Sequence, residues 1–152
     1  MITDAFEVTF VCTGNYYRSR FAEIYFNYRA SEYGADQKSR SRGFRLSPFN
    51  IGPISPFALE RLEVLGIPPS DPPGEPVALT AEDLKTSPRL IALDRREHLP
   101  YVRALFPDHE HLFEFWEIGD IDVTTPRIAL PKLEASIDEL IAEFRQYDSD
   151  GD

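Results

Sequence analysis

The residues FEVTFVC (6–12) place β-branched and aromatic side chains at most positions, a pattern that predicts a buried strand. A short loop, TGNYYR, follows, and then SRFAEIYFNYRASEYG predicts a helix. Ser19 is placed to cap it, Phe21, Ile24, Tyr25 and Tyr28 form its apolar stripe, and Gly34 stops it. KSRSRGFRLS is a weaker strand. SPFALERLEVLGI reads as a short helix opened by Ser55-Pro56 and stopped at Gly66. The proline-dense PPSDPPGEP is loop, TAEDLK a short capped helix, RLIALD a buried strand. RREHLPYVRALFP predicts a helix interrupted or started near Pro100, and HLFEFW a strand. EIGDIDVTTPRIAL has no clear period. PKLEASIDELIAEFRQY is strongly amphipathic through Leu133, Ile137, Leu140, Ile141 and Phe144, and the tail DSDGD is expected to fray.

Strands that alternate with helices imply a parallel sheet covered on both faces. Four strands and about five helices in 152 residues predict a single small three-layer α/β domain spanning 1–152, with a four-stranded parallel sheet. In such sheets ligands bind beyond the carboxyl ends of the strands. Cys12 stands at one of those ends.

Composition narrows the classes. Hydrophobic residues make up 42% and charged residues 28%, as in an ordinary globular domain. No apolar run approaches the roughly 20 residues of a membrane span, and MITDAF lacks the basic and apolar regions of a signal peptide, so no membrane role is expected. One cysteine makes neither an internal disulfide nor a cysteine-rich metal site, and a reducing, cytoplasmic setting is expected. His98, His109 and His111 read as surface residues, and no metal is assigned. The net charge of −10 argues against nucleic acid as a partner. The charge is uneven, however: residues 1–50 carry seven basic against five acidic side chains, so +2, and the remainder carries −12. An anion site in the N-terminal third fits that imbalance.

The stretch CTGNYYRS has the parts of such a site. A loop running from a strand into a helix presents unpaired N–H groups. Gly14 and Asn15 tolerate positive φ, so successive N–H groups can converge into an anion nest. Arg18 adds a planar, permanently charged fork suited to phosphate. The Ser19 hydroxyl can donate to a Cys12 thiolate, and the positive surroundings favour that thiolate as a nucleophile.

This stretch resembles the phosphate-binding loop of the low-molecular-weight protein tyrosine phosphatases, Cys-x-Gly-Asn-x-Cys-Arg-Ser-Pro-x-Ala-Glu. Cys12, Gly14, Asn15, Arg18, Ser19, Ala22 and Glu23 match. SRGF is similar to the family's Ser-Ala-Gly-Thr segment. FNIGPISPFALERLEVLGI and LTAEDLKTSPRLIALD are similar to further family segments, so the resemblance covers most of the chain. It implies a phosphatase I-like fold and a phosphomonoester hydrolase, in the first instance a protein tyrosine phosphatase. It also implies phosphate binding by Thr13, Gly14, Asn15, Tyr16, Tyr17, Arg18 and Ser19, support from Ser19, Ser41 and Asp94, and a substrate wall at Phe49 and Tyr16. Cys12 attacks phosphorus, Arg18 steadies the equatorial oxygens, and Asp120, four residues after Trp116, protonates the leaving oxygen. No cofactor is required. The implied partners are a phosphorylated protein or small phosphomonoester, with inorganic phosphate as product.

Departures from the family pattern are specific. Its second cysteine is Tyr17 here and the following proline is Arg20, which removes a redox-protective partner for Cys12. Ile121 replaces the proline after the acid, and Asp122 is a second candidate acid. Val123 and Thr124 stand where aromatic residues are common, and bulky Tyr16 follows Asn15, leaving phosphotyrosine as the default substrate. Two alternatives stay open: an arsenate reductase using an external thiol, and a phosphate- or phosphopeptide-binding module with little turnover.

Overall fold

The computed structural model describes residues 6–69 and 74–150, with side chains described through residue 145. Part of the proline-dense loop and the N-terminal residues used in the signal-peptide argument therefore lie outside the described residues.

Four strands, β1 (Val8–Cys12), β2 (Ser39–Gly43), β3 (Arg89–Ala92) and β4 (Phe113–Phe115), form one parallel sheet in the order β2-β1-β3-β4. Among the described residues five helices flank it: α1 (Arg18–Glu32), α2 (Pro56–Leu65), α3 (Ala81–Lys85), α4 (Arg95–Leu105) and α5 (Pro126–Asp150), with a 3₁₀ segment at Pro107–Leu112. Alternation along β1 explains the two-sided core. Val8, Phe10 and Cys12 face a cluster with Phe21, Phe26, Leu62, Leu133 and Ile137, whereas Val11 faces Phe44, Leu90, Val102 and Phe113. All five β1 residues are buried, as expected of a parallel strand covered on both sides. Truncating one of these side chains, such as Leu133→Ala, costs about 2–5 kcal/mol.

Several elements differ from the sequence expectation. Ser19 lies inside α1 and does not cap it; Tyr17 takes the cap position with no side-chain bond. The buried face of α1 carries Phe26 rather than Tyr28, which is exposed, because α5 packs against Phe21, Tyr25 and Phe26. α4 starts at Arg95 and runs through Pro100, whose missing N–H forfeits a single helical bond. α5 begins at Pro126, five residues before the amphipathic segment. Proline suits the first helical position, and buried Ala129 and Leu130 extend the stripe of Leu133 and Ile137. The helix continues to Asp150, through most of the tail expected to fray.

α2 matters for the site. Ser55 caps it by accepting from the Phe57 N–H, and Gly66 ends it in the left-handed conformation. The Ser55 N–H in turn donates to the Tyr16 carbonyl at 2.9 Å, which ties the helix start to the loop after β1.

Candidate active site

Cys12, only 2% exposed, ends β1, and the loop Thr13–Tyr17 turns directly into α1. The turn depends on Asn15, which has φ +50°; Gly14 does not have positive φ, contrary to the sequence expectation. The cost of that backbone is offset by the side chain. Asn15 Oδ1 accepts from the Val77 N–H at 2.8 Å, and Nδ2 donates to Ser19 Oγ and Ser41 Oγ, each at 2.9 Å. Ser41 Oγ donates onward to Glu23 Oε1, so the matched Glu23 closes a half-buried relay that starts in the loop. Gly43 faces Cys12 across the sheet. A Cβ there would come within 2.9 Å of the Asn15 nitrogen and the Thr13 oxygen, so the loop can pack this closely only on a glycine.

Arg18 is almost wholly buried. Its Nη1 donates to the Ile118 carbonyl at 2.9 Å, its Nη2 to Glu97 Oε2 at 2.7 Å, and Asp120 Oδ2 lies 3.5 Å from Nη2. Nε has no partner. Burial works against the charged guanidinium, but Cys12, Glu97 and Asp120 hold it above its ordinary value. A fixed cation with a buried, unpartnered Nε–H, at the start of a helix and beside a nest, is built for an oxyanion.

A cavity of about 680 Å³ opens over Cys12 and Arg18. Tyr16, Ile51 and Phe57 line one part of it, Asp120 and Asp122 another. The Tyr16 hydroxyl donates to the Ile51 carbonyl at 2.6 Å and so holds the wall to the loop. Phe49, expected in the wall, is 89% exposed and does not line the cavity; Ile51 and Phe57 take that place. The segment around Asp120 is held without the family's proline. Asp120 Oδ1 accepts from the Ile121 N–H, and its carbonyl accepts from the N–H groups of Val123 and Thr124.

Other expected residues fall differently. Asp94 supports the region through its backbone: its N–H donates to His98 Nδ1 at 3.0 Å, and its carboxylate makes no capping bond. His98 is fully buried, not a surface residue, because Nδ1 meets that N–H while Nε2 lies 3.2 Å from Thr13 Oγ1. His109 and His111 are exposed, as expected. Arg20, in place of the family's proline, is buried and donates to the carbonyls of Pro53 and Gly74, drawing two loops together. Tyr17 is buried, and its hydroxyl has no partner among the described residues. Burial, then the Asp120 charge, push it up to about 12, against the pull of Arg18. Glu97 was missed by sequence reading. The only signal was an acidic residue in the first turn of a helix beginning at a strand's carboxyl end.

The sequence profile described as low molecular weight phosphotyrosine protein phosphatase matches residues 7–140. No curated protein matches in a sequence comparison. Among solved structures, a low molecular weight protein tyrosine phosphatase from T. tengcongensis superposes with a TM-score of 0.75 at 27% identity, over 91% of this chain and 99% of that one. YfkJ from Bacillus subtilis gives 0.78 at 20% identity, over 95% and 98%. The YwlE arginine phosphatase from Geobacillus stearothermophilus gives 0.76 at 20%, over 95% and 96%.

Proposed function

Given that this chain belongs to the low molecular weight phosphotyrosine protein phosphatase family, we propose that it hydrolyses phosphomonoesters through a phosphocysteine on Cys12, with phosphotyrosine in proteins as its first substrate class. The observation that carries the reading is the pairing of a buried thiol, 3.0 Å from a hydroxyl, with the unspent Arg18 donor in the same cavity. The Cys12 sulfur attacks phosphorus in line. The loop N–H groups and Arg18 hold the equatorial oxygens as charge shifts onto them. Asp120 protonates the leaving oxygen, and as a carboxylate it then activates the water that cleaves the S–P bond and releases inorganic phosphate. Asp120 lines the cavity and sits by Arg18, which supports it over Asp122; Asp122 lines the cavity without that contact.

Ile51, Phe57 and Tyr16 give the cavity an apolar, partly aromatic wall, which suits an aryl leaving group. A second reading, phosphoarginine, is favoured by the two cavity carboxylates, Asp120 and Asp122, which suit a guanidinium, and by the arginine phosphatases among the structural neighbours. The ratio of kcat/KM for phosphotyrosine and phosphoarginine peptides separates them. A free nucleophilic thiol fits a reducing, cytoplasmic setting. No described helix is long and apolar enough to cross a membrane.

Rapid-mixing kinetics with p-nitrophenyl phosphate test the mechanism. A burst of nitrophenolate stoichiometric with protein, absent from Cys12→Ser, is expected. Hydrolysis that survives in Cys12→Ser would overturn the phosphocysteine, and binding without any turnover would leave only a phosphate-binding module.

A further inference from the structure

The first turn of α4 meets the loop after β1 through Glu97 and His98, and one oxygen gathers most of the contacts. Glu97 Oε2 accepts from Arg18 Nη2 at 2.7 Å and from the Thr13 hydroxyl, and His98 Nε2 lies 3.3 Å away. The His98 tautomer follows from its other nitrogen. Nδ1 accepts from the Asp94 N–H, so in the neutral ring the proton is on Nε2, facing Thr13 and Glu97. Thr13 is the first residue after the nucleophile, and Arg18 is the first residue of α1. One carboxylate oxygen thus holds both ends of the anion loop. Burial pushes the Glu97 carboxyl up, but the bonds from His98, Arg18 and Thr13 and the Arg18 charge keep it well below the usual carboxylate range. Glu97 does not line the cavity over Cys12, so it acts from behind the loop.

We propose that Glu97 is a positioning residue for phosphoryl transfer, clamping Thr13 and Arg18 so that the guanidinium, whose Nε has no partner among the described residues, is held in place for the phosphoryl group. The inference rests on the phosphatase reading above and adds to it a part contributed by α4. With Nη1 bonded to the Ile118 carbonyl and Nη2 to Glu97, the guanidinium cannot rotate without breaking two bonds. Preorganisation of this kind lowers the barrier to transfer more than it strengthens binding of the ground state. The negative charge on Glu97 also opposes a bound dianion, so its two effects on phosphate affinity have opposite signs.

The test is a double-mutant cycle between Glu97→Gln and Arg18→Lys, with Glu97→Ala as a third variant and thermal melting as the check on folding. Turnover of p-nitrophenyl phosphate is read beside the inhibition constant of inorganic phosphate. Glu97→Gln is expected to lower kcat at least about tenfold while the phosphate constant changes by less than about threefold. Glu97→Ala, which keeps no acceptor oxygen, is expected to lose more. In the Arg18→Lys background the Glu97→Gln loss should largely disappear, because the two act as a unit. An unchanged kcat in folded Glu97→Gln, equal losses in kcat and phosphate affinity, or an additive cycle would each overturn the clamp. If Glu97→Ala does not fold, the Gln cycle decides alone. If the wild type has no turnover, the phosphatase reading fails instead. The same cycle read on unfolding free energy in urea then tests the clamp: the Glu97→Gln change should largely disappear in the Arg18→Lys background, and additivity there overturns it.

Discussion

The Ser19 hydroxyl lies 3.0 Å from the Cys12 sulfur, and a residue three positions after the cysteine leaves the hydroxyl proton free for that sulfur. Val77 N–H can only donate, so the Asn15 atom facing it is Oδ1, and Nδ2 must point at Ser19 Oγ. Ser19 therefore accepts from Asn15 and keeps its own proton for the sulfur, which as the attacking thiolate can only accept it. A bond to a charged acceptor is worth about 1.5–3 kcal/mol, so Ser19→Ala should slow turnover about tenfold or more. The loss should be larger in hydrolysis of the phosphocysteine, where the thiolate leaves, than in its formation with a nitrophenolate leaving group. Single-turnover kinetics separate the two steps, and equal rates in Ser19→Ala and wild type would show that the hydroxyl does not hold the sulfur.

Gly43 should be as sensitive as a loop residue although it belongs to β2. A Cβ at that position meets two backbone atoms of the anion loop at 2.9 Å, and backbone cannot swing aside as a side-chain tip can. Gly43→Ala is expected to destabilise the protein by about 1–3 kcal/mol and to weaken phosphate binding. Urea denaturation with and without phosphate measures both. Wild-type stability and phosphate affinity together would mean the loop has slack.

The loop was legible because its chemistry is local: Cys12, Asn15, Arg18 and Ser19 lie within eight residues, and the strand and helix that hold them have clear periodicity. Ser41 and Glu23 were reachable through the family resemblance. Glu97 and His98 were not, because their function comes from α4 entering beside β1, a relation of sheet order that no local pattern encodes. His98 looked like a surface residue for the same reason. Its burial comes from Phe44 and Thr13, more than 50 positions earlier in the chain. The wall was misread at Phe49 because the turn between β2 and α2 points that ring outward and brings Ile51 to the cavity.

Tyr17 offers a test of what the second-cysteine position does here. Its hydroxyl is buried without a partner, a cost that removing the oxygen relieves. Tyr17→Phe should be as stable as wild type or more stable, by up to about 1 kcal/mol. A melting temperature several degrees lower would show that the hydroxyl has a partner in solution.

The acid should reveal itself through the leaving group. A phenol or alcohol of high pKa needs a proton in the transition state, whereas nitrophenolate barely does. Asp120→Asn is therefore expected to damage phosphotyrosine hydrolysis much more than p-nitrophenyl phosphate hydrolysis, and Asp122→Asn should leave that ratio nearly unchanged. A leaving-group effect confined to Asp122→Asn would move the role by two residues.

The Glu97 clamp also predicts a pH signature in stability. The folded protein holds this carboxyl below its unfolded value of about 4.3, burial notwithstanding, because His98, Arg18 and Thr13 bind the charged form. A group depressed in the folded state contributes stability that is complete above the unfolded value and is lost as pH falls toward the folded one. Glu97→Gln cannot titrate at this position, and the remaining carboxylates largely cancel when the two proteins are compared. The difference in unfolding free energy between wild type and Glu97→Gln should therefore be constant from pH 7 to 5 and shrink steadily below about pH 4. Urea denaturation at pH 7, 5, 4 and 3 measures it. A difference that stays flat to pH 3, or widens there, would show that the Glu97 charge is not held by the loop, whatever its effect on turnover.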